Sequence, residues 1–158
     1  MNTDKTWRTE SSSSEDTFEI GEKLGQICRG GEVFLLSSDI GGGKTTFTKG
    51  LAKGLGCRLV VSSPTFTVSQ IYPCRDSLEI HHFDFYRLND AGVVGYELSE
   101  SLGDKSVITV VEWGDIVGDI IPHDHITVIL NRSIKGENIR NVTITYADKF
   151  NYLIEGLE

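Results

Sequence analysis

No stretch of this 158-residue chain gathers lysine and arginine into a patch, and its 15 basic residues are outnumbered by 23 acidic ones, a formal net charge of −8 at pH 7. Such a surface is a poor unaided binder of nucleic acid or anionic membrane, because it lacks the cationic cluster that would displace phosphate counterions. Long apolar runs are missing too. None approaches the roughly 20 residues of a membrane span, and the opening Met1-Asn2-Thr3-Asp4-Lys5-Thr6 is polar, so a soluble, cytoplasmic protein with no membrane role is expected. Cysteine is sparse. Cys28, Cys57 and Cys74 are odd in number, widely spaced and without a C-x-x-C pair, which argues against a disulfide framework or a zinc site and leads us to expect free thiols. No internal repeat is visible. The length suits one domain with a single core and leaves little room for a separate substrate domain.

What the chain does contain is the glycine-rich hexapeptide Gly41-Gly42-Gly43-Lys44-Thr45-Thr46, directly after the apolar run Val33-Phe34-Leu35-Leu36. Glycines without Cβ atoms let the backbone curl around a polyphosphate, with successive N–H groups and the start of the next helix aimed at its oxygens. Lys44 then reaches the terminal phosphates, Thr45 has its hydroxyl at the position that ligates Mg²⁺ in such loops, and Thr46 begins the helix proper. ATP or GTP is therefore the first ligand to consider. The usual pattern, G-x-x-x-x-G-K-[ST], has glycine where this chain has Ser38, a departure that bears on nucleotide affinity rather than on function class. The flanks fit the pattern. Residues 32–37 read as a buried parallel strand bounded by Gly30-Gly31, and Phe47, Leu51, Ala52 and Leu55 share one face of a helix that ends near Gly56.

Elsewhere, Glu10, the serines at 11–14 and Glu15 form a polar low-complexity stretch, so residues 1–14 read as a disordered tail ahead of one domain over 15–158. Ser13 and Asp16 have capping-box spacing, and Ile20, Leu24, Ile27 and Cys28 then form the apolar face of a helix closed by Gly30-Gly31. Strands are predicted at 60–62, 67–72 and 78–83, the last two joined by the hairpin-like Pro73-Cys74-Arg75-Asp76-Ser77. A short helix follows at 93–102, with strands at 107–111, 126–130 and 138–146 and a terminal helix that sets Phe150, Leu153, Ile154 and Leu157 on one side.

Two acids end strands where a phosphate loop requires them. Mg²⁺ takes oxygen ligands, usually one or two from the protein, and leaves the rest to phosphates and water. Glu112 follows Val107-Ile108-Thr109-Val110-Val111, and Asp84 follows Leu78-Glu79-Ile80-His81-His82-Phe83. Each is placed to bind the metal, directly or through water, or to orient an attacking water as general base.

Four motifs then occur in a characteristic order: Ser38-Asp39-Ile40-Gly41-Gly42-Gly43-Lys44-Thr45-Thr46, Ser63-Pro64-Thr65-Phe66-Thr67, His82-Phe83-Asp84-Phe85-Tyr86-Arg87-Leu88 and Val111-Glu112-Trp113. In these the chain resembles, over about residues 15–146, the TsaE family of threonylcarbamoyladenosine-biosynthesis ATPases. The resemblance implies a single-domain P-loop NTPase of the α/β class, with a largely parallel central sheet flanked by helices. It also implies binding of ATP and Mg²⁺ and weak hydrolysis alone. The partners it implies are two related proteins of the threonylcarbamoyl-transfer complex, which modifies adenosine 37 of tRNAs reading ANN codons, tRNA being met only through that complex. Carried over, Gly41, Gly42, Gly43, Lys44, Thr45 and Thr46 hold the phosphates, Thr45 and Glu112 hold Mg²⁺, and Asp84 lies beside the metal and its waters. Lys44, Asp84 and Glu112 are then the catalytic set. Ser63, Pro64, Thr65, Phe66 and Thr67 look like a switch-like loop responsive to a γ-phosphate, and Thr17 matches a threonine near the adenine. Besides Ser38, the departures are Gly114-Asp115, where serine and an acid are common, and a longer polar N-terminus.

The remaining residues have plainer readings. His81 and His82 are consecutive on a strand and point to opposite faces, so they cannot share one metal, and His123 and His125 lack a third ligand nearby. Tyr86 and Trp113 read as packing walls beside the two acids. Arg87 stays open between phosphate, partner, acid and solvent. Two rival functions remain. A small-molecule P-loop kinase needs an acceptor pocket and a basic lid, whereas only Arg132, Lys135 and Arg140 are grouped here; a nucleotide-dependent switch specific for GTP would carry an N-K-x-D-like motif, which is absent.

Overall fold

The computed structural model describes residues 4–38, 43–58, 61, 69–86 and 92–158. Along the chain these form β1 (Lys5–Ser11), α1 (Ser14–Ile27), β2 (Val33–Ser38), α2 (Lys44–Gly54), β3 (Ser69–Pro73), β4 (Glu79–Asp84), α3 (Gly92–Leu102), β5 (Val107–Glu112), β6 (Ile126–Ser133), β7 (Gly136–Tyr146) and α4 (Asn151–Glu155). All seven strands join one sheet in the order β1-β7-β6-β2-β5-β4-β3. Its middle is parallel, β2 pairing with both β5 and β6 and β5 with β4, and both margins are antiparallel. The α/β class, the single domain and the largely parallel centre of the sheet are as expected, and the antiparallel margins make the sheet as a whole mixed.

The apolar runs explain the centre. β5, Val-Ile-Thr-Val-Val-Glu, is buried along its whole length, as a strand covered on both faces must be. Alternation sends Phe34, Leu36, Ile80, Ile108 and Val110 into the main core with Leu24, Phe47 and Leu51 of α1 and α2. The neighbouring residues Phe83, Phe85 and Val111 face a smaller core with Leu98 of α3 and Val117. Helix α1 starts as its capping spacing predicts: Ser13 Oγ accepts from the Asp16 N–H at 3.2 Å, and the Asp16 carboxylate accepts from the N–H of Ser12 at 2.9 Å. Where α1 crosses α2 the backbones touch. A Cβ on Gly21 would overlap the Phe47 carbonyl, and one on Gly50 the Phe18 carbonyl, so the small residues set the depth of this contact.

Two expectations are corrected. Within the stretch expected to be a disordered tail, Lys5–Ser11 is instead a strand that pairs antiparallel with β7 from Lys5↔Tyr146 to Ser11↔Arg140. Its backbone satisfies the free edge of β7, which a polar composition does not prevent, and Trp7, Thr9 and Ser11 alternate inward. Second, Cys57 and Cys74 form a disulfide, leaving Cys28 as the free, buried thiol. Sequence spacing could not show this, because the pairing arises where the end of α2 meets the β3–β4 hairpin: the N–H of Arg75 bonds the Leu55 carbonyl and that of Arg58 the Pro73 carbonyl. Of the strand expected at 60–62, only Val61, buried, lies among the described residues. No helix among the described residues is long and apolar enough to cross a membrane.

Candidate functional site

β2 ends at Ser38, at the carboxyl end of the parallel strands, and α2 begins at Lys44. Gly43 is the N-cap of α2 with φ +105°, a left-handed conformation natural to glycine. Because that residue has no side chain to act as acceptor, the first turn of α2 presents its N–H groups to an anion. The helix begins at Lys44, two residues before the Thr46 expected, since Phe47 N–H already bonds the Gly43 carbonyl at 2.9 Å.

Lys44 Nζ stands 4.6 Å from the centre of the Trp113 ring, and Tyr86 leans on the same indole with 4.8 Å between ring centroids. Trp113 adopts φ +56° directly after β5, an uncommon angle for a bulky residue. The turn carries its ring out of the core, so Trp113 and Tyr86 are exposed, at 37% and 55%. These rings are therefore a rim over the lysine rather than the packing walls expected.

Asp84 and Glu112 are Cα partners at the ends of β4 and β5. Asp84 continues the alternation of Ile80 and His82, which directs these three toward the main core under α2. Burial pushes the Asp84 carboxyl above its usual range. The N–H of Tyr86, which donates to Oδ1 at 3.0 Å, opposes this; Glu112 adds to it, and His82 and Lys44 oppose it again. Glu112 is 3% exposed and accepts a 2.5 Å hydrogen bond from Nε2 of the fully buried His82.

Thr17 is also brought in. Its hydroxyl lies 2.6 Å from Ser11 Oγ, its Cγ2 would sit 3.6 Å from a Cβ placed on Gly43, and with Ser13, Gly43, Thr46, Asn138 and Arg140 it lines a cavity of about 350 Å³. Thr45 and Thr46 stand half-buried in the first turn of α2. The structure thus gathers Thr17, Gly43, Lys44, Thr45, Thr46, Asp84 and Glu112 around one end of the sheet. Gly41, Gly42, Ser63, Pro64, Thr65, Phe66, Thr67 and Arg87 lie outside the described residues.

The residue that sequence reasoning missed is His82, set aside there as structural. The opposite-face argument holds, since His81 reaches Ser101 Oγ of α3 at 2.5 Å. The available signal was His82's place two residues before Asp84, which puts it on the same face. The donor set suits a hard cation. Two carboxylates and a threonine hydroxyl offer oxygen, and among the described residues no group of three or more His, Cys, Asp or Glu could hold a metal by itself. That is the chemistry of an ion which keeps most of its shell for phosphate and water.

A family profile described as "Threonylcarbamoyl adenosine biosynthesis protein TsaE" matches residues 11–142. The chain belongs to the TsaE family. Relatives of that description include proteins from Bacillus subtilis, 34% identical over 158 residues that cover 96% of this chain and 92% of theirs, and from Streptomyces coelicolor, 35% identical over 80% of this chain and 88% of theirs. Another, from Aquifex aeolicus, is 38% identical over 84% and 90%. The crystal structure of Bacillus subtilis YdiB superposes with a TM-score of 0.72 at 30% identity, covering 99% of this chain and 95% of that one.

Proposed function

We propose that this protein is a partner-dependent Mg-ATPase required for threonylcarbamoyl modification of adenosine 37 in tRNAs that read ANN codons. The observation that carries the reading is the registered pair Asp84 and Glu112 at adjacent strand ends, with Lys44 at the start of α2 near enough for its charge to act on Asp84, in a member of the TsaE family. Lys44 and the N–H groups of the first turn bind and orient the terminal phosphates. Thr45, Glu112 and Asp84 would hold Mg²⁺, which when bound offsets phosphate charge and helps align the groups in line. Asp84, with its raised carboxyl pKa, is suited to accept a proton from, or orient, the attacking water. Thr17 and the cavity beside it lie within reach of the rest of the nucleotide.

The acid surplus supports partner dependence, since tRNA is then engaged only through the two related proteins of the threonylcarbamoyl-transfer complex, in the cytoplasm. The three grouped cations sit on one strand pair, Arg132 in β6, Arg140 in β7 and Lys135 in the turn between them, an arrangement that favours a hairpin end over the mobile basic lid of a small-molecule kinase. The test is ATP turnover by the protein alone, with tRNA, and with the two partners with and without tRNA. Slow turnover that rises with the partners is expected. Fast turnover alone, or stoichiometric phosphorylation of a small hydroxyl acceptor, overturns the proposal in favour of a kinase.

A further inference from the structure

We propose that His82 is a positioning residue that locks the Glu112 carboxylate in its metal-holding orientation, an inference that rests on the reading of Glu112 as a Mg²⁺ ligand. The imidazole is 0% exposed in the main-core face of β4, where a polar ring is costly unless it is hydrogen-bonded. Its register partner on β5 is Val110, two residues short of Glu112, so the ring spans a diagonal to reach the carboxylate. The contact is Nε2 to Oε2 at 2.5 Å.

Nδ1 of His82 has no hydrogen-bond partner among the described residues. The ring proton therefore belongs on Nε2, where an acceptor stands, and the imidazole donates to Glu112. Among the described residues no other donor reaches that carboxylate. The bond to Oε2 restricts the rotamer of Glu112 and occupies one of its two oxygens. A structural pair would need only mutual satisfaction. This pair instead stands directly beside a second acid, Asp84, the Cα partner of Glu112. Hydrogen-bonded partners of metal-binding carboxylates typically alter metal affinity by roughly 10- to 100-fold when removed.

The experiment titrates Mn²⁺ into the protein–ADP complex and reads free Mn²⁺ by electron paramagnetic resonance, for wild type, His82→Leu, His82→Gln and Glu112→Gln, with metal-free ADP affinity measured in parallel. His82→Leu should weaken Mn²⁺ binding roughly tenfold or more with metal-free ADP affinity unchanged. His82→Gln, whose amide can donate near the Nε2 position, should recover most of the loss. Glu112→Gln separates the two ideas. Unaltered Mn²⁺ affinity in Glu112→Gln overturns the ligand reading itself, whereas weakening there with wild-type affinity in His82→Leu overturns only the role of His82. Equal loss in both His82 variants overturns the hydrogen-bond account. Should His82→Leu fail to fold, the same question is put to wild type by ¹⁵N-histidine NMR. A shift of the His82 Nε2–H resonance when Mg²⁺ is added to the ADP complex supports the proposal, and an unmoved resonance overturns it.

Discussion

Two glutamates lie buried at opposite ends of the parallel strands in the middle of the sheet. Glu32, 1% exposed, precedes β2 and accepts from the N–H groups of Arg29 at 2.8 Å and Gly30 at 2.7 Å and from the Tyr152 hydroxyl at 2.6 Å. Glu112, 3% exposed, ends β5 and among the described residues accepts from His82, with a second acid as its lateral neighbour. The end with Glu32 is braced by hydrogen bonds. There the Arg75 guanidinium donates to the carbonyls of Gly25, Gln26, Cys28 and Gly54, which terminate α1 and α2, and the Cys57–Cys74 disulfide fastens the adjacent hairpin. The Glu112 end carries like charges side by side and two aromatic rings open to solvent. A buried acid surrounded by donors holds the fold together; one given a single donor and an acidic neighbour has capacity left for a cation or a proton.

The largest test of that contrast is Glu32→Ala, which leaves three donors without their acceptor and should cost roughly 3–5 kcal/mol of unfolding free energy. Denaturant titration would read it, and turnover per folded molecule should hold. Glu112→Gln should do the reverse, cutting hydrolysis roughly a hundredfold or more while stability by the same titration stays near wild type. Equal effects of the two variants on stability would dissolve the distinction between the two ends. Reducing the disulfide, or replacing both Cys57 and Cys74 with serine, releases a loop with a sequence separation of 17 and should lose about 3 kcal/mol, seen as a lower midpoint with reductant present.

Tyr152→Phe removes one donor to Glu32 and should cost about 1.5–3 kcal/mol. Burial, and then its bond to Glu32, push the Tyr152 hydroxyl far above its ordinary value. Wild type therefore keeps this contribution below the unfolded-state value near pH 10 and loses it as pH rises beyond that. Tyr152→Phe should flatten the alkaline fall in melting temperature. The smallest effect on stability belongs to Asp84→Asn. A raised carboxyl pKa means that folding favours the protonated form, so ionised Asp84 is a burden at neutral pH that disappears as pH falls below the unfolded value. The variant should melt slightly higher than wild type at pH 7, lose that advantage in acid, and be inactive in ATP hydrolysis.

Local pattern and tertiary structure divided the work unevenly. The sequence by itself determined the central strands, the amphipathic faces of α1 and α2, the Ser13 cap and the strand-end positions of Asp84 and Glu112, because each depends on residues close together in the chain. Its motifs also sufficed to identify the family. Tertiary structure decided what depends on distant segments meeting: β1 completing the sheet beside β7, Cys57 finding Cys74, and Tyr152 reaching back 120 residues to Glu32. The same holds for His82. Its chemistry was set by strand register, which brought the end of β5 alongside β4 and turned a core histidine into the partner of an acid 30 residues away, and register depends on sheet packing that no local spacing encodes.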